Sequence, residues 1–457
     1  MVLGCSGVFI PISVLEWYYC CVQPTPVGQR RTRRIYTDLG MPIGLLARQR
    51  VCWPAPMIAT KEYTEGTTTF LSADIEHYAA DSHQLTSDLP VFYNPRMRVN
   101  RDLSVLFLLA YLDRSPIQAM CEPLAGCGVR TLRYLNECPG EFHALVSDTN
   151  PLALDVVRKN IERYGFEHRT TIKRGDAKVL LLTESREKRF DFVDLDPFGS
   201  PAPFLTAAVQ SLSPKRAMLG LTATDMPVLC GAQPRVAIRK YGGLSIRAPF
   251  SHELAVRLLI GRAYSVAAMN DCAVYPLAAL STDHYIRVWL DIRTSCTDSN
   301  DQARNMGFVV YCEGCMRTET VPLGPSLTQL RIQHERDDCK GRVSLAGPLW
   351  TGEMYNQSLL DTASQFLSKK PDNYDKRVPK LLGAMREENA LADHIYVDIH
   401  ALCDLHGLES PSMASLMTRL REAGYKASRT HFRPTAIRTN ASVREITASA
   451  RDLTNPM

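Results

Sequence analysis

Asp196-Pro197-Phe198 sets an acid, a proline and an aromatic side by side, where the mostly apolar run Phe190 to Val193 stops. The wider run is Asp194-Leu195-Asp196-Pro197-Phe198-Gly199-Ser200-Pro201-Ala202-Pro203. If Phe190 to Leu195 is a buried strand, these groups sit at its carboxyl end, the edge of an open α/β sheet where ligands bind. Such a corner suits chemistry on an amino group attached to a flat ring. The acid accepts the amine's hydrogen bond, the constrained turn presents a carbonyl, and the aromatic ring stacks on the base. An ordinary strand end with an Asp-Pro turn explains the same residues. In both readings Asp194 is a plain strand residue.

A second group lies upstream. Glu122-Pro123-Leu124-Ala125-Gly126-Cys127-Gly128-Val129-Arg130 places an acid at a strand end, then Gly-x-Gly, then a helix start. Gly126 and Gly128 let backbone approach a ligand, and the helix start offers free N–H groups. Thr131 stands where a dinucleotide site needs a third glycine, which disfavours a pyrophosphate and a nicotinamide oxidoreductase. S-adenosylmethionine needs no pyrophosphate site, because its tail is an amino acid. Asp148 ends the next strand, where an acid grips ribose hydroxyls. Asp176 ends the third, where it can accept from an adenine amino group while Ala177 leaves room for the ring. Each acid could instead be a helix N-cap, and the glycines a structural turn. Together with Asp196 they describe a methyl donor and an amine acceptor meeting over one sheet edge.

These residues need a frame. Strands are expected at 119–123, 142–147, 170–174, 190–195, 217–224 and 285–292, alternating with helices such as 130–137 and 151–164. Such alternation predicts a Rossmann-like α/β fold with a parallel sheet covered on both faces. The polar stretch 293–304 marks its end, so residues 57–295 form one domain and 296–457 a smaller C-terminal α/β domain. There, helices at 357–367 and 378–389 precede two more, at 398–405 and 411–423, and a basic extended segment, an order like that of a winged helix. Residues 1–56 differ from the rest and read as a poorly ordered extension. The chain has 457 residues, 45% of them hydrophobic and 22% charged, with net charge +5, so it can bury sizeable cores and tolerates but does not require a polyanionic partner. No apolar stretch is long enough to span a bilayer. Its 14 cysteines are scattered, which points to a reducing, cytoplasmic setting.

Beyond these groups, a series of motifs carries a family resemblance. It comprises Val91-Phe92-Tyr93-Asn94-Pro95-Arg96-Met97 with Asn100-Arg101-Asp102, Asp194 to Pro203, and Thr222-Ala223-Thr224-Asp225. Leu229-Cys230-Gly231, Arg239-Lys240-Tyr241-Gly242, Ser251-His252-Glu253 and Asp283-His284-Tyr285 follow. Ala346-Gly347-Pro348-Leu349-Trp350 and Thr430 to Thr439 complete it. Over roughly residues 57 to 450 the chain resembles the tRNA guanine-26 N2-dimethyltransferases. The resemblance implies transfer of one and then two methyl groups from S-adenosylmethionine to guanine N2. By motif position Arg101, Arg130, Asp148, Asp176 and Ala177 would bind the donor, Asp196 would be the acid–base group and Phe198 the stacking partner. The alternatives are a methyltransferase for another amine and a non-catalytic RNA-binding relative.

Parts of that family carry two Cys-x-x-Cys pairs just before Ala-Gly-Pro-Leu-Trp. Cys312, Cys315 and Cys339 match three of those positions, while the expected third cysteine falls on Arg336, leaving His334 as the candidate fourth zinc ligand and Asp337 and Asp338 as weaker ones. A degenerate site with free thiols is the alternative. Lys426, Arg421, Arg429, His431, Arg433 and Arg438 form a basic segment expected to contact tRNA phosphates. No obligate protein partner is evident.

Overall fold

The computed structural model describes residues 58–78, 89–324 and 339–454. The expected extension over 1–56 and the possible ligand His334 lie outside these residues. The chain enters through a hairpin, β1 (Thr60–Glu65) and β2 (Thr68–Ala73). Gly66 turns it at φ +57°, and a Cβ there would lie 2.6 Å from a carboxylate oxygen of Glu137, so only glycine lets the hairpin close on its neighbour. A short helix, α1 (Ile75–Tyr78), and the long α2 (Arg98–Leu112) follow. Every residue of α2 from Val99 to Tyr111 is buried, as expected of a helix enclosed on all sides.

Strands and helices then alternate: β3 (Ala119–Glu122), α3 (Val129–Glu137), β4 (His143–Asp148), α4 (Pro151–Arg163) and β5 (Thr170–Arg174). Next come α5 (Ala177–Glu184), β6 (Phe192–Leu195), α6 (Leu205–Ser211) and β7 (Ala217–Ala223). Past them lie α7 (Met226–Leu229), α8 (Pro234–Tyr241), α9 (Ser251–Ala268), β8 (Cys272–Thr282) and β9 (Tyr285–Thr294). The seven-stranded sheet has the order β5-β4-β3-β6-β7-β9-β8. The order runs outward from β3 to β5 and returns through β6, so right-handed crossovers put α3 and α4 on one face and α5 and α6 on the other. Helix α2 packs beside α3, and α9 beside α6.

The sheet is not purely parallel, as the alternating pattern suggested. β9 runs antiparallel to β7 and to β8. Only the two residues Asp283-His284 separate β8 from β9, and so short a turn can join only antiparallel neighbours.

The polar stretch after β9 is ordered. Ser295 caps α10 (Cys296–Gln302), accepting from the Asp298 N–H, and the Tyr264 hydroxyl donates to the Ser299 carbonyl at 2.8 Å. A three-stranded sheet, β11-β10-β12, is built from β10 (Met306–Cys312), β11 (Thr318–Pro322) and β12 (Val343–Trp350). The chain continues through α11 (Gln357–Lys369), α12 (Val378–Glu388), β13 (Val397–Asp398), α13 (Ile399–His406), α14 (Met413–Glu422), β14 (Ala427–Arg429), β15 (Ala436–Thr439) and α15 (Val443–Thr454). From α12 to β15 the order is helix, strand, two helices, two strands, with a β13-β15-β14 sheet, which is winged-helix topology. One continuous apolar core runs from Phe70 and Phe107 through Trp289 to Ile437 and Ile446.

Candidate active site

The carboxyl ends of β3, β4, β6 and β7 and the start of β9 surround a cavity of about 950 Å³. Asp196 follows β6 directly. Its Oδ2 accepts from the Arg130 guanidinium at 2.5 Å, and its side chain is 21% exposed. Pro197 is buried in the cavity wall, and its carbonyl takes no hydrogen bond from the described residues. The turn is pinned to the end of β7: the Gly199 N–H donates to Thr224 Oγ1 and the Thr224 N–H returns to the Gly199 carbonyl, both at 2.8 Å. Phe198 is thereby left 63% exposed, with its ring edge-on to Phe92 at 4.6 Å. An exposed aromatic face beside a half-buried carboxylate is a surface on which a flat base can stack.

Arg130, from the first turn of α3, is buried and makes all its hydrogen bonds to protein. It donates to Asn100 Oδ1 at 3.0 Å and Ser104 Oγ at 3.2 Å, and its Nε lies 3.6 Å from Asp194. Asp194 is therefore no plain strand residue. It is completely buried, accepts from the Tyr134 hydroxyl at 2.7 Å and pairs with Arg287 at 2.7 Å. Burial pushes its carboxyl up, but Arg130 and Arg287 together hold it below the usual carboxylate range. This second acid sits behind Asp196 and anchors the arginine that orients it.

On the donor side, Glu122 ends β3, lines the cavity and accepts from the Thr131 N–H at 3.0 Å and from its hydroxyl at 2.5 Å. Burial pushes its carboxyl up to about 8 against the pull of Arg130. Such a group ionises when a cationic ligand group comes beside it. Gly126 lines the cavity at φ +55°, and its N–H donates to Asp148 Oδ2 at 2.9 Å, bracing the turn against the end of β4. Gly128 caps α3 at φ +74° and packs on Val157, behind the cavity wall. Arg101 lines the cavity but is held by Glu65, with contacts of 2.7 and 2.5 Å. Burial pushes Glu65 up, yet Arg101 and Arg133 hold it at about 2. Asp176 caps α5 by accepting from the Lys178 and Val179 N–H groups; neither it nor the buried Ala177 borders this cavity. Phe92 and Tyr285 also line the cavity, and Glu65 stands behind it on Arg101. The sequence assigns none of the three a role, although Phe92 and Tyr285 stand in the motifs Val91 to Met97 and Asp283-His284-Tyr285.

In the C-terminal part, Cys312, Cys315 and Cys339 bring their sulfurs within 4.8 Å of one another, with Cys312 and Cys339 3.7 Å apart. Two thiolates about 2.3 Å from one tetrahedral zinc stand about 3.8 Å apart, so the cluster fits zinc. Gly314 and Gly341 close around it: a Cβ on Gly341 would lie 2.8 Å from the Cys312 sulfur. The basic segment departs from expectation. Arg438 is fully buried and pairs with Glu253 at 3.0 Å and Glu388 at 3.2 Å. The His431 side chain is also buried, bonded to Glu388 and to the Ser281 N–H. Neither can meet a phosphate: Arg438 is the counter-charge of two acids buried between α9 and α12, and both ring nitrogens of His431 are taken by hydrogen bonds. Arg421, Lys426, Arg429 and Arg433 keep exposed or half-exposed positions.

A family model described as N2,N2-dimethylguanosine tRNA methyltransferase matches residues 66–451. The chain belongs to this family. The tRNA (guanine(26)-N(2))-dimethyltransferase of Methanothermobacter thermautotrophicus is 33% identical over 371 residues, covering 80% of this chain and 94% of that protein. The enzyme of the same description from Methanosphaerula palustris is 34% identical over 389 residues, covering 85% and 98%. The solved structure of Trm1 from Pyrococcus horikoshii with S-adenosyl-L-methionine superposes with a TM-score of 0.70 at 28% identity, covering 85% of this chain and 99% of that one. The matched residues span both the sheet that forms the cavity and the winged-helix part. The residues fit such a ligand in kind: two acids, Glu122 and Asp148, and the Gly126 turn line the one cavity. No helix among the described residues is long and apolar enough to cross a membrane.

Proposed function

We propose that the protein transfers one and then two methyl groups from S-adenosylmethionine to N2 of guanine 26 in tRNA, with residues 57–295 carrying the chemistry and 296–457 holding the RNA. The observation that carries this reading is Asp196 in the cavity wall, fixed by Arg130 and flanked by the bare Pro197 carbonyl and the exposed face of Phe198. When bound, S-adenosylmethionine supplies a methyl group on a cationic sulfur, electrophilic toward a nitrogen lone pair. Phe198 stacks on the guanine, which must leave the helical stack to reach the cavity. Asp196 and the Pro197 carbonyl accept the two N2 hydrogens and turn the nitrogen lone pair toward the donor side. Most of the acceleration comes from this positioning and from the negative field of Asp196 as N2 becomes positive. A methylated, cationic N2 is acid enough to give its proton to the Asp196 carboxylate. After the first transfer N2 keeps a single hydrogen, so one acceptor of the pair is free in the second round.

Glu122 is assigned to the donor's ammonium, the Gly126 turn to its carboxylate and Asp148 to its ribose hydroxyls. Asp176 and Ala177 are assigned to the adenine end, at the terminus of β5. The exposed Arg429 and Arg433, with Lys426 and Arg421, are assigned to tRNA phosphates, which position the substrate without reading its bases. Incubating purified protein with unmodified tRNA and donor should yield N2-methylguanosine and then N2,N2-dimethylguanosine by nucleoside mass spectrometry. N6-methyladenosine without either product would overturn the assignment.

Cys312, Cys315 and Cys339 are assigned to a structural zinc, with His334 as fourth ligand. That chemistry needs reduced thiols, consistent with a cytoplasmic setting. Protein purified without chelator should carry about one zinc per chain, and Cys315→Ser should lose the metal and melt at lower temperature. Metal-free wild-type protein with an unchanged melting temperature would count against the site.

A further inference from the structure

We propose that the Tyr285 hydroxyl is a substrate-contacting group that hydrogen-bonds the edge of the acceptor guanine. The inference rests on the proposed reaction and adds a residue to it. Tyr285 opens β9 directly after the Asp283-His284 turn, so this antiparallel strand begins at the same sheet edge where β6 and β7 end. Its side chain lines the cavity. Register fixes the face it uses. Thr222 and Arg287 stand opposite each other, and Arg287 reaches Thr222 Oγ1 and Asp194 from one face. Tyr285 lies two residues before Arg287, and Asp196 two residues after Asp194, so strand alternation brings both to that face. Asp196 stands level with Thr222 and Arg287, and Tyr285 two residues further along β9, so their backbones are about 12 Å apart. Glu122 and Asp148 lie on the opposite side of Asp196, on β3 and β4. Tyr285 therefore borders the acceptor half of the cavity.

The hydroxyl itself is buried and has no hydrogen-bond partner among the described residues, although the residue is only 4% exposed. A buried, unbonded hydroxyl is costly and calls for an explanation. Burial pushes its pKa up, and the fields of Asp283, Arg101, Arg377 and Asp196 all reach it. It thus stays neutral, able both to donate and to accept, beside the charges that frame the cavity. Guanine offers a ring N–H and two acceptors next to the amine held by Asp196, and a fixed neutral hydroxyl suits such an edge.

Tyr285→Phe removes this oxygen and leaves the ring packing in place. In single-turnover methylation of tRNA, the variant is expected to react about 10-fold more slowly at saturating donor and tRNA. Its calorimetric affinity for S-adenosylmethionine should be unchanged, and its melting temperature equal to or above that of wild type. Three results would overturn the inference. The first is an unchanged rate. The second is weakened donor binding with the rate recovered at high donor, which would put the hydroxyl in the donor site. The third is a lowered melting temperature with full activity per folded molecule, the mark of a structural role. A wild-type protein that does not methylate guanine N2 would instead sink the proposed reaction itself, which the same assay reads separately.

Discussion

Asp196→Asn is expected to slow methyl transfer by a factor on the order of 10²–10⁴ while leaving donor affinity nearly unchanged. The substitution keeps the side chain's volume and removes its charge. Arg130 stays charged and in place, because Asp194 is 3.6 Å from its Nε, and Asn100 and Ser104 still accept from it. What disappears is the negative field at the nitrogen that becomes positive and the acceptor for its proton. An asparagine amide can also turn its NH₂ toward the substrate amine and offer a donor where an acceptor is required. The donor is assigned in the proposed function to Glu122, the Gly126 turn and Asp148, on the neighbouring strands, so calorimetry with S-adenosylmethionine separates the two effects. A single-turnover rate within a few-fold of wild type would show that Asp196 takes no part in the chemistry.

The second large effect concerns stability. Arg438→Met should destabilise the protein by about 3–5 kcal/mol, because it leaves two buried carboxylates short of a cation. Arg438 makes bonds of 3.0 and 3.1 Å to Glu253 on α9, two of 3.2 and 3.3 Å to Glu388 on α12, and one to the His394 carbonyl. Glu253 retains Arg257 at 2.8 Å, and Glu388 retains Thr430 and His431, so the network is weakened rather than emptied. The pH dependence has a definite sign. Burial pushes Glu388 up, but His431 and Arg438 hold its carboxyl at about 2, below the ordinary 4.5 of an exposed glutamate. A carboxyl depressed by folding adds stability above its unfolded value and loses it as pH falls toward the folded one. Wild-type stability should therefore decline between about pH 4.5 and 2. In the variant that decline should be smaller and should end at higher pH, because Glu388, with one cation fewer beside it, has a folded value closer to its unfolded one. Urea melts at pH 7 and pH 4 check both statements, and a variant as stable as wild type at pH 7 would remove Arg438 from the account.

Strand ends were readable from sequence because Pro, Gly and single acids punctuate them. Asp148, Asp196 and Glu122 all lie at the sheet edge where their spacing placed them. Asp194 was misjudged because its partners, Tyr134, Arg130 and Arg287, come from α3 and β9, and nothing local announces a buried acid in an apolar strand. Arg438 and His431 failed for the converse reason. A basic run looks solvated unless the acids it neutralises are known, and Glu253 and Glu388 lie far away in the chain. The antiparallel edge could have been inferred from Asp283-His284, since a two-residue connection leaves no room for a crossover. β8 was overlooked because Pro276 interrupts an otherwise strand-like run, and there the pairing with β9 shifts register between Pro276 and Ala278. Glu65 went unnoticed because a lone acid at a hairpin turn normally points to solvent.

The shared burial of α9 bears on how the protein can be divided. Glu253 and Arg257 on α9 take hydrogen bonds from, or give them to, Arg438, the Tyr396 N–H, and the Trp350, Gly352 and Ala392 backbone carbonyls. α11 likewise lies against α2, and the Asp375 N–H donates to Asp102 at 2.7 Å. A fragment cut after β9 would expose the apolar flank of α9 and strip its charges of their partners. The boundary at residue 295 is thus a boundary of topology and not of material. The seven-stranded sheet cannot be lifted out as a cassette, and swaps between relatives must carry α9 together with whatever covers it.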